Sequence, residues 1–160
     1  MGGAQSDMAS ASGSESAQGL RIITPSNAHD AYWMEQQAIA SDDPVLFFEP
    51  KRLYRASVGE VPDEDYRLPL GEAEVTKEGT DVTVLGWGAQ MEVIDQAVER
   101  AEKDGISCEV IDLRTILPWD VETVANSVFK TGRLVVTHEA PLTGGFAGEI
   151  AATIQERCFL

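Results

Sequence analysis

Basic residues are scarce in this 160-residue sequence, where 12 Lys and Arg stand against 27 Asp and Glu for a net charge of −15. A surface of that sign repels phosphate backbones, so nucleic acid is not an expected partner. Cysteine is nearly absent: Cys108 and Cys158 make neither a disulfide framework nor a metal-ligand spacing, and a reducing compartment is the simpler reading. No run of about 18 apolar residues occurs, so no segment is suited to spanning a bilayer as a helix and no membrane partner is expected. Residues 1–19 lack the basic flank and apolar block of a secretory signal, and the arginines of a mitochondrial presequence. They are rich in Gly, Ser and Ala with almost nothing to bury, which predicts disorder through Gly19.

What is present is ordered alternation. Leu20–Ser26 (LRIITPS) is a β-branched run ending in Pro and Ser, and it reads as a strand. Ser26 or Asn27 can cap the helix that follows, AHDAYWMEQQAIAS, and Asp30 suits the positive end of its dipole. PVLFFEP is the next strand. Two strands and a helix are too few for an independent sheet, so this portion is expected to lean on the rest of the chain or on a neighbour. From Ala56 to Gly79 no period is sustained, and two prolines and three glycines predict an extended connection and a domain boundary. Beyond it the pattern predicts strand Val82–Gly86, helix Gln90–Lys103, strand Cys108–Leu113, helix Val121–Phe129, strand Arg133–Thr137 and helix Phe146–Arg157. Strict β-α alternation implies an α/β fold with a parallel sheet and right-handed crossovers. Met91, Ile94, Val98 and Ala101 share one helical stripe and belong to the core.

Ligand sites in open parallel sheets lie beyond the carboxyl ends of the strands, which here selects Gly86-Trp87-Gly88, Arg114-Thr115 and His138-Glu139. VTVLGWGAQ offers a Gly-x-Gly turn into a helix, with Asp112 near the end of the next strand as a ribose partner. Met91 stands where the third glycine of a dinucleotide fingerprint belongs, so the stronger reading is a tight turn with Trp87 packing at a domain or subunit contact. His138 and Glu139 have the chemistry of an acid/base pair. Neighbours on a strand point to opposite faces, so a hydrogen-bonded role for His138 at the sheet edge or a subunit contact is preferred. Pro141–Gly145 leads into a helix N-terminus suited to an anion, although Glu149 disfavours phosphate there.

Three stretches carry a family resemblance: CEVIDLRTILPWD from Cys108, RLVVTHEAPLTGGFAGEIAATIQERCFL from Arg133, and DDPVLFFEPKRLYR from Asp42 to Arg55. Together they resemble the beta subunit of the thiamine-diphosphate-dependent branched-chain 2-oxoacid dehydrogenase, an oxidoreductase of branched-chain amino acid catabolism. The resemblance implies a transketolase C-terminal-like α/β domain at 80–160, incomplete, preceded by a remnant of the pyrimidine-binding domain at 20–55, a linker at 56–79 and the disordered segment 1–19. It implies truncation at both ends, a sheet short of a strand, and poor solubility or partner dependence.

In that family the alpha subunit holds thiamine diphosphate and Mg, and the beta subunit's own glutamate and histidine lie upstream of the matched region. His29 does not match that histidine, so no catalytic or cofactor-binding residue is assigned, no cofactor is expected on the isolated chain, and activity alone is not expected. The partners implied are the alpha subunit, a second beta subunit and the lipoyl acyltransferase, in the mitochondrial matrix of a eukaryote or the cytoplasm of a prokaryote. A potassium site is implied at the turn where Ala38 and Ser41 offer carbonyls and Asp43 a carboxylate, which are hard oxygen donors; the alternative is a plain turn with Asp42 and Asp43 exposed. Lys51, Arg52, Tyr54 and Arg55 form either a solvated basic patch or an alpha-subunit interface, with Trp87 and His138 as further interface candidates. A noncatalytic module that caps the alpha subunit, a pyruvate-type beta subunit and a small nucleotide-binding domain are the alternatives.

Overall fold

Short β-branched runs and well-capped helices set the local structure of the computed structural model, which describes residues 19–61 and 68–159. The segment expected to be disordered lies outside the described residues except for Gly19. The described chain runs β1 (Arg21–Ile23), α1 (Ala28–Ala40), β2 (Val45–Phe47) and the single turn α2 (Leu53–Ala56). It continues through β3 (Glu74–Lys77), β4 (Val82–Gly86), α3 (Gln90–Lys103), β5 (Cys108–Asp112) and β6 (Thr115–Leu117). It ends with α4 (Val121–Thr131), β7 (Leu134–Val136) and α5 (Ala147–Phe159).

Capping explains where the helices start and stop. Asn27, not Ser26, caps α1: its side-chain oxygen accepts the Asp30 N–H at 2.8 Å while its own backbone stays extended. Asp120 caps α4 by accepting the Thr123 N–H at 3.0 Å, and Gly132 ends that helix in the left-handed region at φ 69°. α3 starts without a side-chain cap and is held by burial of Met91, Ile94 and Val98 against Cys108 and Val110.

The strands form two sheets. In the larger, the order is β3-β5-β4-β7, with β4 parallel to both β5 and β7. This parallel core is the expected one, but β3 runs antiparallel along β5, so the sheet is mixed. β3 also lies inside the segment read as an extended connection. Glu74–Lys77 is too short for alternation to show, and its order comes from pairing with β5.

The smaller sheet has the order β2-β1-β6, with β1 and β2 parallel and β6 antiparallel to β1. β6 follows β5 after only Leu113 and Arg114, so one continuous stretch serves both sheets. Ile22 from β1 packs with Leu85, Ile111, Leu113 and Ile116 in a single buried cluster under α4 and α5. Full burial of each such side chain is worth roughly 1.5–3 kcal/mol, and this shared core joins the two sheets more firmly than the chain connection does. Among the described residues no strand pairs with the outer edge of β7. None of the described helices is long and apolar enough to cross a membrane.

Candidate functional site

The carboxyl ends of β4 and β5 meet the segment that leads into α1. Gly88 turns the chain there at φ 57°, and a methyl group on it would press on Thr24 Oγ1 at 2.9 Å, so both conformation and space call for glycine. Trp87 is 2% exposed, and its indole stacks on His138 at 5.3 Å and meets the Phe146 ring edge at 6.2 Å. Within this chain Trp87 is an interior residue, because the segments after β7 and before α5 bring His138 and Phe146 over it. His138 lies beyond β7, not within it, and its Nδ1 accepts the Ala140 N–H at 3.1 Å. Burial lowers its pKa, so the ring is neutral near pH 7. A neutral imidazole with one nitrogen committed to a backbone donor is a structural support for Trp87, and no pairing with Glu139 is seen.

The strongest constellation is built around Arg114. It adopts the left-handed region at φ 57°, uncommon for a residue with a Cβ, and turns the chain from β5 into β6. Its guanidinium grips Asp30 of α1 with two bonds, Nε to Oδ2 at 2.6 Å and Nη2 to Oδ1 at 3.1 Å, and also contacts Glu74 of β3. Asp30 is 1% exposed and also receives His29 Nδ1 at 3.1 Å. The Arg114 carbonyl accepts the Thr24 N–H at 2.8 Å. Two residues earlier, buried Asp112 accepts the Ser26 hydroxyl and, at 3.1 Å, the Arg114 N–H. Burial pushes Asp112 up to about 7 against those two hydrogen bonds, which pull the other way.

Asp112 forms part of the wall of a cleft of about 360 Å³ lined also by Ser26, Asn27, Thr76, Glu92 and Asp95. The sequence pattern offers Asp112 as a possible ribose partner. Its oxygens are instead occupied from within the chain, and Met91 is buried in the core at the third fingerprint position, which removes the basis for a dinucleotide site. Nor does the cleft fit a diphosphate: among the described residues its lining brings three carboxylates and no cationic side chain.

At the turn after α1, the Ser41 N–H bonds the Ala38 carbonyl at 3.3 Å, and the Asp43 N–H bonds Ser41 Oγ at 3.2 Å. Arg21 Nε pairs with Asp43 at 3.0 Å, so the carboxylate offered to a cation already faces a guanidinium. Lys51, Arg52, Tyr54 and Arg55 are all exposed around α2. Arg52 reaches Glu92 at 3.4 Å, and the Tyr54 hydroxyl donates to Glu49, which raises the phenol's pKa. The Arg114, Asp30 and Glu74 set was missed by sequence reading, whose one pointer was the position of Arg114 just past a strand end.

A family model described as "Transketolase, C-terminal domain" matches residues 71–160, more than half of the chain. The chain belongs to this transketolase C-terminal domain family. It is 62% identical over 143 residues to "2-oxoisovalerate dehydrogenase subunit beta, mitochondrial" of Dictyostelium discoideum, covering 89% of this chain and 39% of that protein. It is 48% identical over 141 residues to "Pyruvate dehydrogenase E1 component subunit beta" of Acholeplasma laidlawii, covering 88% of this chain and 43% of that protein. The solved structure described as "Split gene transketolase, inactive beta4 tetramer" superposes with a TM-score of 0.79 at 27% identity, over 96% of this chain and 49% of that one. This transketolase C-terminal domain chain therefore spans well under half the length of the curated relatives it matches.

Proposed function

We propose that this chain works as a beta-subunit component of a branched-chain 2-oxoacid dehydrogenase, assembled with an alpha subunit and a second beta subunit and delivering acyl groups to a lipoyl acyltransferase. The observation that carries the proposal is the 62% identity to a 2-oxoisovalerate dehydrogenase beta subunit, against 48% to the pyruvate dehydrogenase relative. In the assembled enzyme thiamine diphosphate, held with Mg by the alpha subunit, supplies the carbanion chemistry. The described lining of the cleft beside Asp112 carries three carboxylates, a poor fit for a diphosphate, so the coenzyme is assigned to the alpha subunit. The exposed Lys51, Arg52, Tyr54 and Arg55 supply a basic, aromatic-bearing face on an otherwise acidic surface, suited to an acidic patch on the alpha subunit. His138 supports that assembly indirectly, by fixing Trp87. The compartment follows the source: the matrix in a eukaryote, the cytoplasm in a prokaryote.

Sedimentation of the purified chain with alpha subunits of branched-chain and pyruvate enzymes tests the proposal. Binding to the branched-chain alpha subunit, weakened roughly tenfold or more when Lys51, Arg52 and Arg55 are all replaced by Glu, is expected. Binding to neither, or turnover of 2-oxoisovalerate by this chain unaided, would overturn it. A potassium ion held by Ala38, Ser41 and Asp43 requires Arg21 to leave Asp43. Exchange of sodium for potassium should then raise the melting temperature, and equal melting in both salts removes that ion from the reading.

A further inference from the structure

Ala28, Ala31 and Glu35 fall on one stripe of α1 and form a wall of a hollow of about 290 Å³, separate from the cleft at Asp112. Phe47 at the end of β2, Leu53 of α2, and the rings of Pro25 and Pro50 make up its apolar lining. The prolines bring no backbone N–H, and the alanines leave space that longer side chains would fill. Two polar side chains of the lining are already spent within the chain. Asn27 accepts the Asp30 N–H and donates its amide to Ser26, and the Tyr54 hydroxyl donates to Glu49. What the hollow offers outward is therefore acceptor and negative. Glu35 and Glu49, both exposed, reach it from different elements, and the Tyr54 ring stands beside Glu49 with 65% of the residue exposed. Among the described residues its lining includes no cation: Lys51, Arg52 and Arg55 lie outside it, and Arg52 pairs with Glu92.

We propose that this hollow is a socket for an arginine side chain of a partner protein, with the aliphatic stem on Ala28, Ala31 and Leu53 and the guanidinium between Glu35 and Glu49 against the Tyr54 ring. A long cationic side chain buries its stem on apolar surface and keeps its charged end at the rim. The planar guanidinium donates to two carboxylates at once and stacks on an aromatic ring, which a compact ammonium does less well. Clefts for small molecules run about 300–1,000 Å³, so a space at the lower edge of that range suits one side chain. The proposal stands apart from the branched-chain reading, because it uses only this chain's own surface.

Titration of the ¹⁵N-labelled full chain with the peptide acetyl-Ala-Arg-Ala-amide at low salt tests the socket. Saturable shifts confined to the amides around Ala28, Ala31, Leu53 and Tyr54 are expected. Citrulline in place of the peptide's arginine keeps its shape but not its charge, and should weaken binding roughly tenfold. Glu35→Gln with Glu49→Gln should do the same, whereas Glu99→Gln with Glu156→Gln, an equal loss of charge elsewhere, should leave binding unchanged. Ala31→Leu fills the hollow without altering charge and should also weaken it. Scattered or unsaturable shifts, or equal losses in the two double variants, would reduce the effect to the chain's general negative charge and overturn the socket. Undiminished binding in Ala31→Leu overturns it too; should that variant fail to fold, the citrulline peptide on the unsubstituted chain decides, and binding equal to the arginine peptide's sinks the proposal.

Discussion

Replacing Arg114 by Ala asks whether charge or packing alone holds α1 onto the larger sheet. Asp30 is 1% exposed and the Arg114 side chain 9%, so the substitution strands a buried carboxylate whose remaining side-chain contact among the described residues is His29. Removing one partner of a buried pair costs about 3–5 kcal/mol. Loss of the Glu74 contact adds only roughly 0–1 kcal/mol, since Glu74 is 44% exposed and screened. Backbone strain enters with a known sign: Ala at φ 57° suffers as Arg does, whereas Gly does not, so Arg114→Gly should recover roughly 1 kcal/mol relative to Arg114→Ala. Lys keeps the charge but not the two-pronged grip, and should fall between wild type and Ala. Urea unfolding followed by circular dichroism reads all three, and the Ala variant should melt about 6–20 °C lower in a chain of this size. A loss under about 1 kcal/mol for Arg114→Ala, or Gly worse than Ala, would refute the reasoning.

Gly79→Ala places a methyl group inside the Cys108–Glu109 peptide, where backbone cannot yield. Loss of more than about 3 kcal/mol is expected in thermal melts, and wild-type melting would contradict it. His138 should titrate below 6.5 by NMR because burial disfavours its charged form. The sign follows: its contribution to stability is present above its ordinary pKa and is lost as pH falls through the lowered one, and a midpoint above 6.5 would be inconsistent with that burial. Burial pushes Glu109 up, but hydrogen bonds from Lys130, Ser127 and the Gly79 N–H outweigh it and hold its pKa low. Lys130→Met should therefore destabilise the chain near neutral pH and do so less in acid as Glu109 protonates; a pH-independent loss would assign the cost to packing.

The elements legible from sequence are those whose instructions are local. α3 shows its Met91, Ile94 and Val98 stripe and its Lys103-Asp104-Gly105 stop, and α4 its Asp120 cap and Gly132 end, so both were placed to within about two residues. β3 and β6 were not, because four and three residues leave no room for a period, and their order is conferred by β5 and β1. The exposure of Lys51, Arg52 and Arg55 was legible from clustered charge. The burial of Trp87 was not, since its cover arrives from β7 and α5. Arg114 shows the limit most clearly. Its partners lie 84 and 40 residues away, and no spacing along the chain announces a grip made by folding.

A change in composition marks a boundary near residue 56, and buried contacts and a strand pairing cross it. Val58 is 96% exposed and its neighbours through Val61 are exposed as well, so a protease specific for glutamate should cut at Glu60 without first unfolding the chain. The piece before the cut keeps β1, β2, α1 and α2; the piece after it keeps every strand of the larger sheet together with β6. Between them remain the β1–β6 pairing, Arg114 on Asp30, Ser26 on Asp112, and Ile22 within the cluster of Leu85, Ile111, Leu113 and Ile116. Ile23, Trp33 and Met34 also bury Leu68 from the other side of the cut. Burial of Ile22 and Ile23 alone is worth roughly 3–6 kcal/mol, and a pair of fragments held by that, two sheet partners and a buried ion pair should remain together at micromolar concentration. Two bands on a denaturing gel with a single peak on gel filtration is the expected result. Separation of the nicked halves at that concentration would show that the composition boundary is also a mechanical one, and that the Asp112–Leu117 stretch does not bind the two sheets together.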